Sequence, residues 1–145
     1  VTYFIHSPDM GEAAPIKLLS ARPLLQSISL ASAESVRMTA RDGEVIPGYL
    51  TRPPRASASH GSMPLALVLH GGPNARDFAG FDPLTQLLAA RGVAVLTVNY
   101  RGSTGYGNRF YRLGMGNVRG MHEDVEDARQ WAIASGVADP LRIAI

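Results

Sequence analysis

Two glycine-rich loops carry the residues of this sequence that could do chemistry. The first loop, His70-Gly71-Gly72-Pro73, directly follows the apolar run 65–69. Because glycine has no Cβ, a backbone N–H there can approach a tetrahedral oxyanion closely, so His70, Gly71 and Gly72 form a candidate oxyanion region. The alternative is a sharp turn without a catalytic role. For the His70 imidazole, a hydrogen-bonded structural role is expected over that of a general base.

The second loop spans residues 99–107 and also follows a wholly apolar run. Its glycines resemble a phosphate loop, but it has neither a P-loop lysine nor a dinucleotide-binding pattern. Arg101 is expected to anchor the loop through a carboxylate partner. Tyr100 and Tyr106 are expected to pack against the loop or to line a substrate pocket.

Other catalytic groups are scarce. The chain has no cysteine, and its four histidines do not stand at a metal-binding spacing, so neither a metal nor a cofactor is expected. The acidic run Glu123, Asp124, Glu126 and Asp127 is interpreted as a solvated face at the start of a helix. No serine lies in a Gly-x-Ser-x-Gly frame, which predicts that the chain lacks a nucleophile.

The apolar runs predict the elements that position these loops. Continuous runs at 65–69 and 93–98, and the start of a third at 142–145, are typical of buried strands. Between the first two, Asp82 is a candidate N-cap, Leu84, Leu87 and Leu88 share one predicted face, and Gly92 ends the helix.

A second helix is predicted over 121–135, with Met121, Val125, Ala128 and Ala132 on one stripe, after a short helical piece at 109–113.

Two hairpins precede this alternation. One pairs 1–5 with 16–19 across a turn at 8–11, and the other pairs 35–40 with 45–50 around Asp42-Gly43. Residues 20–33 form a connector without a sustained period, and residues 52–64 form a surface loop. Alternating strands and helices predict an α/β fold, with a mostly parallel sheet covered by helices on both faces.

Bulk composition limits the function classes. In 145 residues, 46% are hydrophobic and 18% are charged, with a net charge of +2, the balance of a globular protein that folds in water. No apolar run approaches the roughly 20 residues of a membrane helix, and the arginines are too scattered for a nucleic-acid surface. Neither a membrane nor a nucleic-acid partner is expected. The open strand 142–145 is expected to be covered by further sequence or a second chain, so a homo-oligomer remains an alternative.

The loops taken in order resemble the prolyl oligopeptidase family of serine peptidases, especially its acylaminoacyl-peptidase-like branch. The resemblance covers nearly the whole chain and is most specific from residue 70 onward. It runs through His70-Gly71-Gly72-Pro73, 76–77, 80–83, 99–107, 121–131 and 138–145.

The resemblance implies the N-terminal half of an α/β-hydrolase domain over 31–145, truncated before the nucleophile elbow, and the end of a β-propeller with its connector over 1–30. It implies a serine, aspartate and histidine triad beyond residue 145, hydrolysis of short peptides or acyl-peptides through an acyl-enzyme, and an inactive isolated chain. Some relatives have a tyrosine in place of His70, so a backbone N–H, that of Gly72, is the expected second donor here. A small-ester hydrolase and a non-catalytic binding module on the same scaffold remain alternatives.

Overall fold

A computed structural model describes residues 2–6, 9, 11, 14–54, 61–72 and 74–145. Part of the turn predicted at 8–11, and the residues His60 and Pro73, lie outside the described residues. The chain divides into two compact units, Val1–Leu30 and Ala31–Ile145.

The first unit contains the predicted first hairpin. Strand β1 (Thr2–Ile5) pairs antiparallel with β2 (Ile16–Ser20), and most of its described side chains are exposed. A 3₁₀ helix, Pro23–Ser27, lies in the predicted connector, with proline at the first turn where its missing N–H has no intrahelical partner. The assignment of this unit to the end of a β-propeller stays a prediction.

The second unit is built on a five-stranded mixed sheet. Its strands are β3 (Ala33–Thr39), β4 (Val45–Thr51), β5 (Met63–Val68), β6 (Ala94–Val98) and β7 (Ala138–Ala144), in the spatial order β3-β4-β6-β5-β7. The predicted hairpin of β3 and β4 turns at Asp42-Gly43, where Gly43 has a φ of +86°. Strand β4 is antiparallel to β6, whereas β5 is parallel to both β6 and β7.

Three helices complete the unit: α1 (Pro83–Ala90), α2 (Gly107–Gly114) and α3 (Val118–Ala134). Side chains alternate between the two faces of a strand, and the main core takes Leu65, Leu67 and Leu96 together with Val125 and Ala128 of α3. The opposite face carries α1, which contacts β6. Helices therefore cover both faces, as the α/β prediction required.

The predicted apolar face of α1 is wrong. Leu84 and Leu87 are half exposed, and the helix instead buries Thr85 and Ala89, which are one turn apart. Two small side chains at this spacing let the helix approach the sheet closely, whereas leucines would hold it further away. The predicted ends of α1 are confirmed: the Asp82 carboxylate accepts the Thr85 N–H at 2.7 Å.

The second predicted helix begins earlier than the sequence indicated. Asn117 caps α3 through the N–H of Gly120, so Glu123 and Asp124 lie beyond its first turn. Val125, Ala128 and Ala132 are buried as predicted, and Met121 is partly buried.

Strand β7 lies at the edge of the sheet and pairs only with β5 among the described strands. Leu141 and Ile145 are exposed there, whereas Leu65, Leu67 and Leu96 are buried within the chain. In the described residues, none of the helices has the length and apolar composition needed to cross a bilayer.

Candidate active site

The two glycine-rich loops meet at one edge of the sheet. In the structure, the first loop extends beyond its glycine-rich start and covers residues 69–72 and 74–82, after the carboxyl end of β5. The second loop covers residues 99–106, after the carboxyl end of β6. These strands are parallel neighbours, with Val68 opposite Thr97. The carboxyl ends of parallel strands are where ligands bind in open α/β sheets.

Tyr100 holds the start of the first loop. Its ring stacks on the His70 imidazole with centroids 4.5 Å apart, and its hydroxyl donates to the backbone carbonyl of His70 at 2.6 Å. Burial raises the pKa of the Tyr100 phenol, so the hydroxyl keeps the proton that it donates.

Ser103 holds the imidazole of His70 from the other side. The Ser103 hydroxyl donates to the carbonyl of Tyr100 at 2.6 Å. Nε2 of His70 lies 2.8 Å from Ser103 Oγ. Nδ1 of the same ring lies 3.1 Å from the Gly71 carbonyl oxygen, so protein groups face both ring nitrogens. These contacts agree with a hydrogen-bonded structural role for His70, held between Ser103 and Tyr100.

This serine–histidine contact differs from a nucleophile–base pair. Ser103 is completely buried, and its proton points at a backbone carbonyl instead of at the imidazole. A nucleophile must donate to its base and reach a substrate carbonyl. Because Ser103 is fully buried, its hydroxyl cannot reach a substrate carbonyl.

Asn99 holds the first loop at a second point, Asp77. Its side-chain oxygen accepts the Asp77 N–H at 2.8 Å, and its amide donates to the Asp77 carbonyl and to the Tyr106 hydroxyl. Asn99 is fully buried. Asn99 is not among the site residues predicted from sequence, although a polar residue directly after a predicted buried strand must find hydrogen-bond partners, and that position is a signal.

Asp77 also has a buried carboxyl oxygen, Oδ2, without a hydrogen-bond partner among the described residues. Burial raises the pKa of this carboxyl. The proton is therefore held to a higher pH than in an exposed aspartate.

Between these attachments lie Gly71 and Gly72. Both are exposed, and neither backbone N–H donates to a residue that the structure describes. Gly72 has a φ of +129°, and a Cβ there would lie 2.8 Å from the N of Asn74, so only glycine fits without strain. The candidate oxyanion region thus has two backbone donors that no described residue engages, on a segment attached at His70 and at Asp77.

Arg101 fixes the second loop to α3 and to the β3–β4 turn. Its guanidinium makes three hydrogen bonds to the Asp124 carboxylate, at 3.0, 2.9 and 2.6 Å, and one to Asp42 at 2.8 Å. Its backbone N–H also donates to Asp124 at 2.8 Å. These hydrogen bonds raise the pKa of Arg101, which stays charged.

The interpretation of the acidic run as a solvated face is wrong for Asp124. This side chain is fully buried, whereas Glu123, Glu126 and Asp127 are only partly buried and pair with arginines nearer the surface. Burial of a carboxylate requires a partner, which Arg101 supplies.

Tyr106 closes the second loop. Its ring meets Phe110 edge-on at 5.7 Å, and burial raises the pKa of its phenol to about 12. The Arg76 guanidinium lies 4.2 Å from the Phe78 ring centroid and packs on Gly105, so it also joins the two loops.

A cavity of about 310 Å³ opens beside His70 and Tyr100. Its other lining residues come from Leu69, the first turns of α3 and Ile145. Tyr100 thus lines a cavity, whereas Arg101 and Tyr106 lie outside it. Among the described residues, no group of three or more histidine, aspartate or glutamate side chains could hold a metal ion.

Comparison with known proteins gives the same assignment from three directions. The model of the prolyl oligopeptidase family matches residues 79–145. Dipeptidyl aminopeptidase BIII of Pseudoxanthomonas mexicana is 44% identical over 94% of this chain and 21% of its own length. The acylamino-acid-releasing enzyme of Arabidopsis thaliana is 40% identical over 57% of this chain and 11% of its own.

Among solved structures, a mutant of puromycin hydrolase complexed with PGG superposes with a TM-score of 0.81 at 26% identity, over 99% of this chain and 23% of its own. This similarity confirms the α/β-hydrolase fold. The chain spans about a fifth of the length of its first curated relatives. The matched segment 79–145 includes the second loop, α3 and β7, which frame the site. From these matches, the chain belongs to the prolyl oligopeptidase family.

Proposed function

We propose that the protein to which this chain belongs is a serine peptidase that hydrolyses short peptides through an acyl-enzyme, and that the segment His70–Gly72 supplies its oxyanion donors. The observation that carries the proposal is that Gly71 and Gly72 are exposed residues whose backbone N–H groups donate to none of the described residues, on a segment attached at His70 and at Asp77. Donors that are already oriented stabilise a developing oxyanion without reorganising during the reaction.

The names of the relatives support two candidate substrate classes. A dipeptidyl aminopeptidase is 44% identical over 143 residues, which supports release of dipeptides as the first candidate. The acylamino-acid-releasing enzymes match a shorter part of the chain and make release of an N-acylated residue the second candidate.

Chemical labelling of the intact protein tests the reaction class. A fluorophosphonate probe should label one serine, placed by mass spectrometry in a Gly-x-Ser-x-Gly frame after β7. Intact protein that is folded and yet unlabelled would contradict the proposal and favour the non-catalytic binding module.

Substrate comparison tests the class of bond. Intact protein should cleave dipeptidyl anilides and N-acylaminoacyl anilides as well as p-nitrophenyl esters. Turnover of esters alone would indicate the small-ester hydrolase instead. The 145-residue chain by itself should turn over neither, because its Ser103 is buried and its oxyanion donors have no nucleophile to assist.

A further inference from the structure

The side chains that hold the first loop come from three nearby positions of the second loop. Asn99, Tyr100 and Ser103, here called the clamp, contact the first loop at His70 and at Asp77. A backbone bond, from the Thr104 N–H to the Ala75 carbonyl at 3.0 Å, ties the middle.

Within the clamp, Ser103 is the residue whose hydroxyl contacts the His70 imidazole at Nε2. It is one hydroxyl with two partners, the Tyr100 carbonyl and the His70 imidazole, both within 2.8 Å. The imidazole lies between Tyr100 and Ser103, so its orientation depends on both. Nδ1 of this imidazole lies 3.1 Å from the Gly71 carbonyl oxygen, so a change in the orientation of the ring alters a direct contact with the segment that carries the candidate donors.

We propose that Ser103 is a positioning residue for the oxyanion region, acting through His70 and without contact with substrate. This inference rests on the proposed function, because it assigns Ser103 to the same site. Donors must lie within about 2.7–3.1 Å of the oxyanion, so a small displacement of the loop weakens the transition state more than the bound substrate.

The variant Ser103→Ala in the intact protein tests this. Loss of an oxyanion donor costs on the order of a hundredfold to a thousandfold in kcat, and displacing one should cost about tenfold. We expect KM to change less than about twofold, and the affinity of a peptide boronic acid, which mimics the tetrahedral state, to fall by the same factor as kcat.

Ser135→Ala is the matched control. Ser135 also donates its hydroxyl to a backbone carbonyl, that of Ala132 at 3.2 Å, but lies after α3 and away from both loops. Its kinetic constants should equal those of the wild type. A fall in active-site titre with unchanged kcat per titrated site would show that Ser103→Ala only unfolds molecules, and would overturn the proposal.

A double-mutant cycle tests the route through His70. In the His70→Ala background, Ser103→Ala should have no further effect on kcat. Two effects that multiply independently would overturn the proposal, as would an unchanged kcat in Ser103→Ala alone.

A structural readout separates this inference from the proposed function. In a crystal structure of intact Ser103→Ala protein, the His70 ring should leave its stacked position on Tyr100, even if the wild type proves to lack peptidase activity. An unmoved ring would overturn the positioning role, whereas an unlabelled wild-type serine would overturn only the peptidase assignment.

Discussion

The buried ion pair of Arg101 and Asp124 should contribute measurably to the free energy of unfolding. Replacing Asp124 with asparagine keeps the size of the side chain and removes its charge, leaving a guanidinium that is only 9% exposed without its main counter-ion. Removing one partner of a buried pair costs about 3–5 kcal/mol. Arg101 keeps its bond to the half-exposed Asp42, so a loss of about 3 kcal/mol, the lower end, is expected.

Urea unfolding of the chain, followed by the fluorescence of its single tryptophan, Trp131 on α3, measures this loss. The control is Asp127→Asn, which removes a carboxylate of the same helix whose partner Arg41 is half exposed. It should cost less than about 1 kcal/mol.

A double variant refines the result. Arg101→Met combined with Asp124→Asn should cost less than the sum of the single losses, because the second change removes the charge that the first left unpaired. A loss below about 1 kcal/mol for Asp124→Asn, equal to that of the control, would show that the buried Arg101 does not need Asp124 as its counter-ion.

Two further predictions concern α2 and its contacts. A Cβ at Gly114 would lie 2.6 Å from the backbone carbonyl of Arg101, so Gly114→Ala should lower the free energy of unfolding by about 1–3 kcal/mol. Gly80→Ala, at a position with open space around it, should change the free energy of unfolding by less than about 0.5 kcal/mol in the same urea titration. The hydrogen bonds from Arg109 lower the pKa of Glu44, so this pair stabilises the fold above the ordinary glutamate pKa, and that contribution is lost as the pH falls through the lowered value. Glu44→Gln should therefore lower the free energy of unfolding at pH 6 more than at pH 3, and an equal difference at both pH values would show that the pair contributes nothing.

The elements could be predicted from sequence because their signals are local. The Asp42-Gly43 turn signal, the N-cap Asp82 and the apolar runs of β5 and β6 depend only on neighbouring residues, although the β3–β4 turn holds three residues, 41–43, between Ala40 and Glu44 instead of two. The apolar face of α1 could not be predicted, because the closeness of helix and sheet selected Thr85 and Ala89 over larger leucines.

The contacts within the site depend on residues far apart in sequence. Asp124 stands three residues after Met121 and four before Ala128, on the buried stripe of α3, and that position was the available signal of its burial. Its partner Arg101 is 23 residues away, and the partners Ser103 and His70 are 33 apart. The parallel pairing of β5 and β6 brings the two loops together, so the contacts of the clamp could not be predicted from any local sequence pattern.

The proposed role of the segment His70–Gly72, donation of hydrogen bonds to the oxyanion, can be observed directly in a crystal structure of the intact protein with a peptide boronic acid bound to its nucleophile. We expect a boronate oxygen within about 3.1 Å of the backbone N of Gly71 or Gly72. A boronate bound to the serine whose oxygens contact neither glycine would contradict this role.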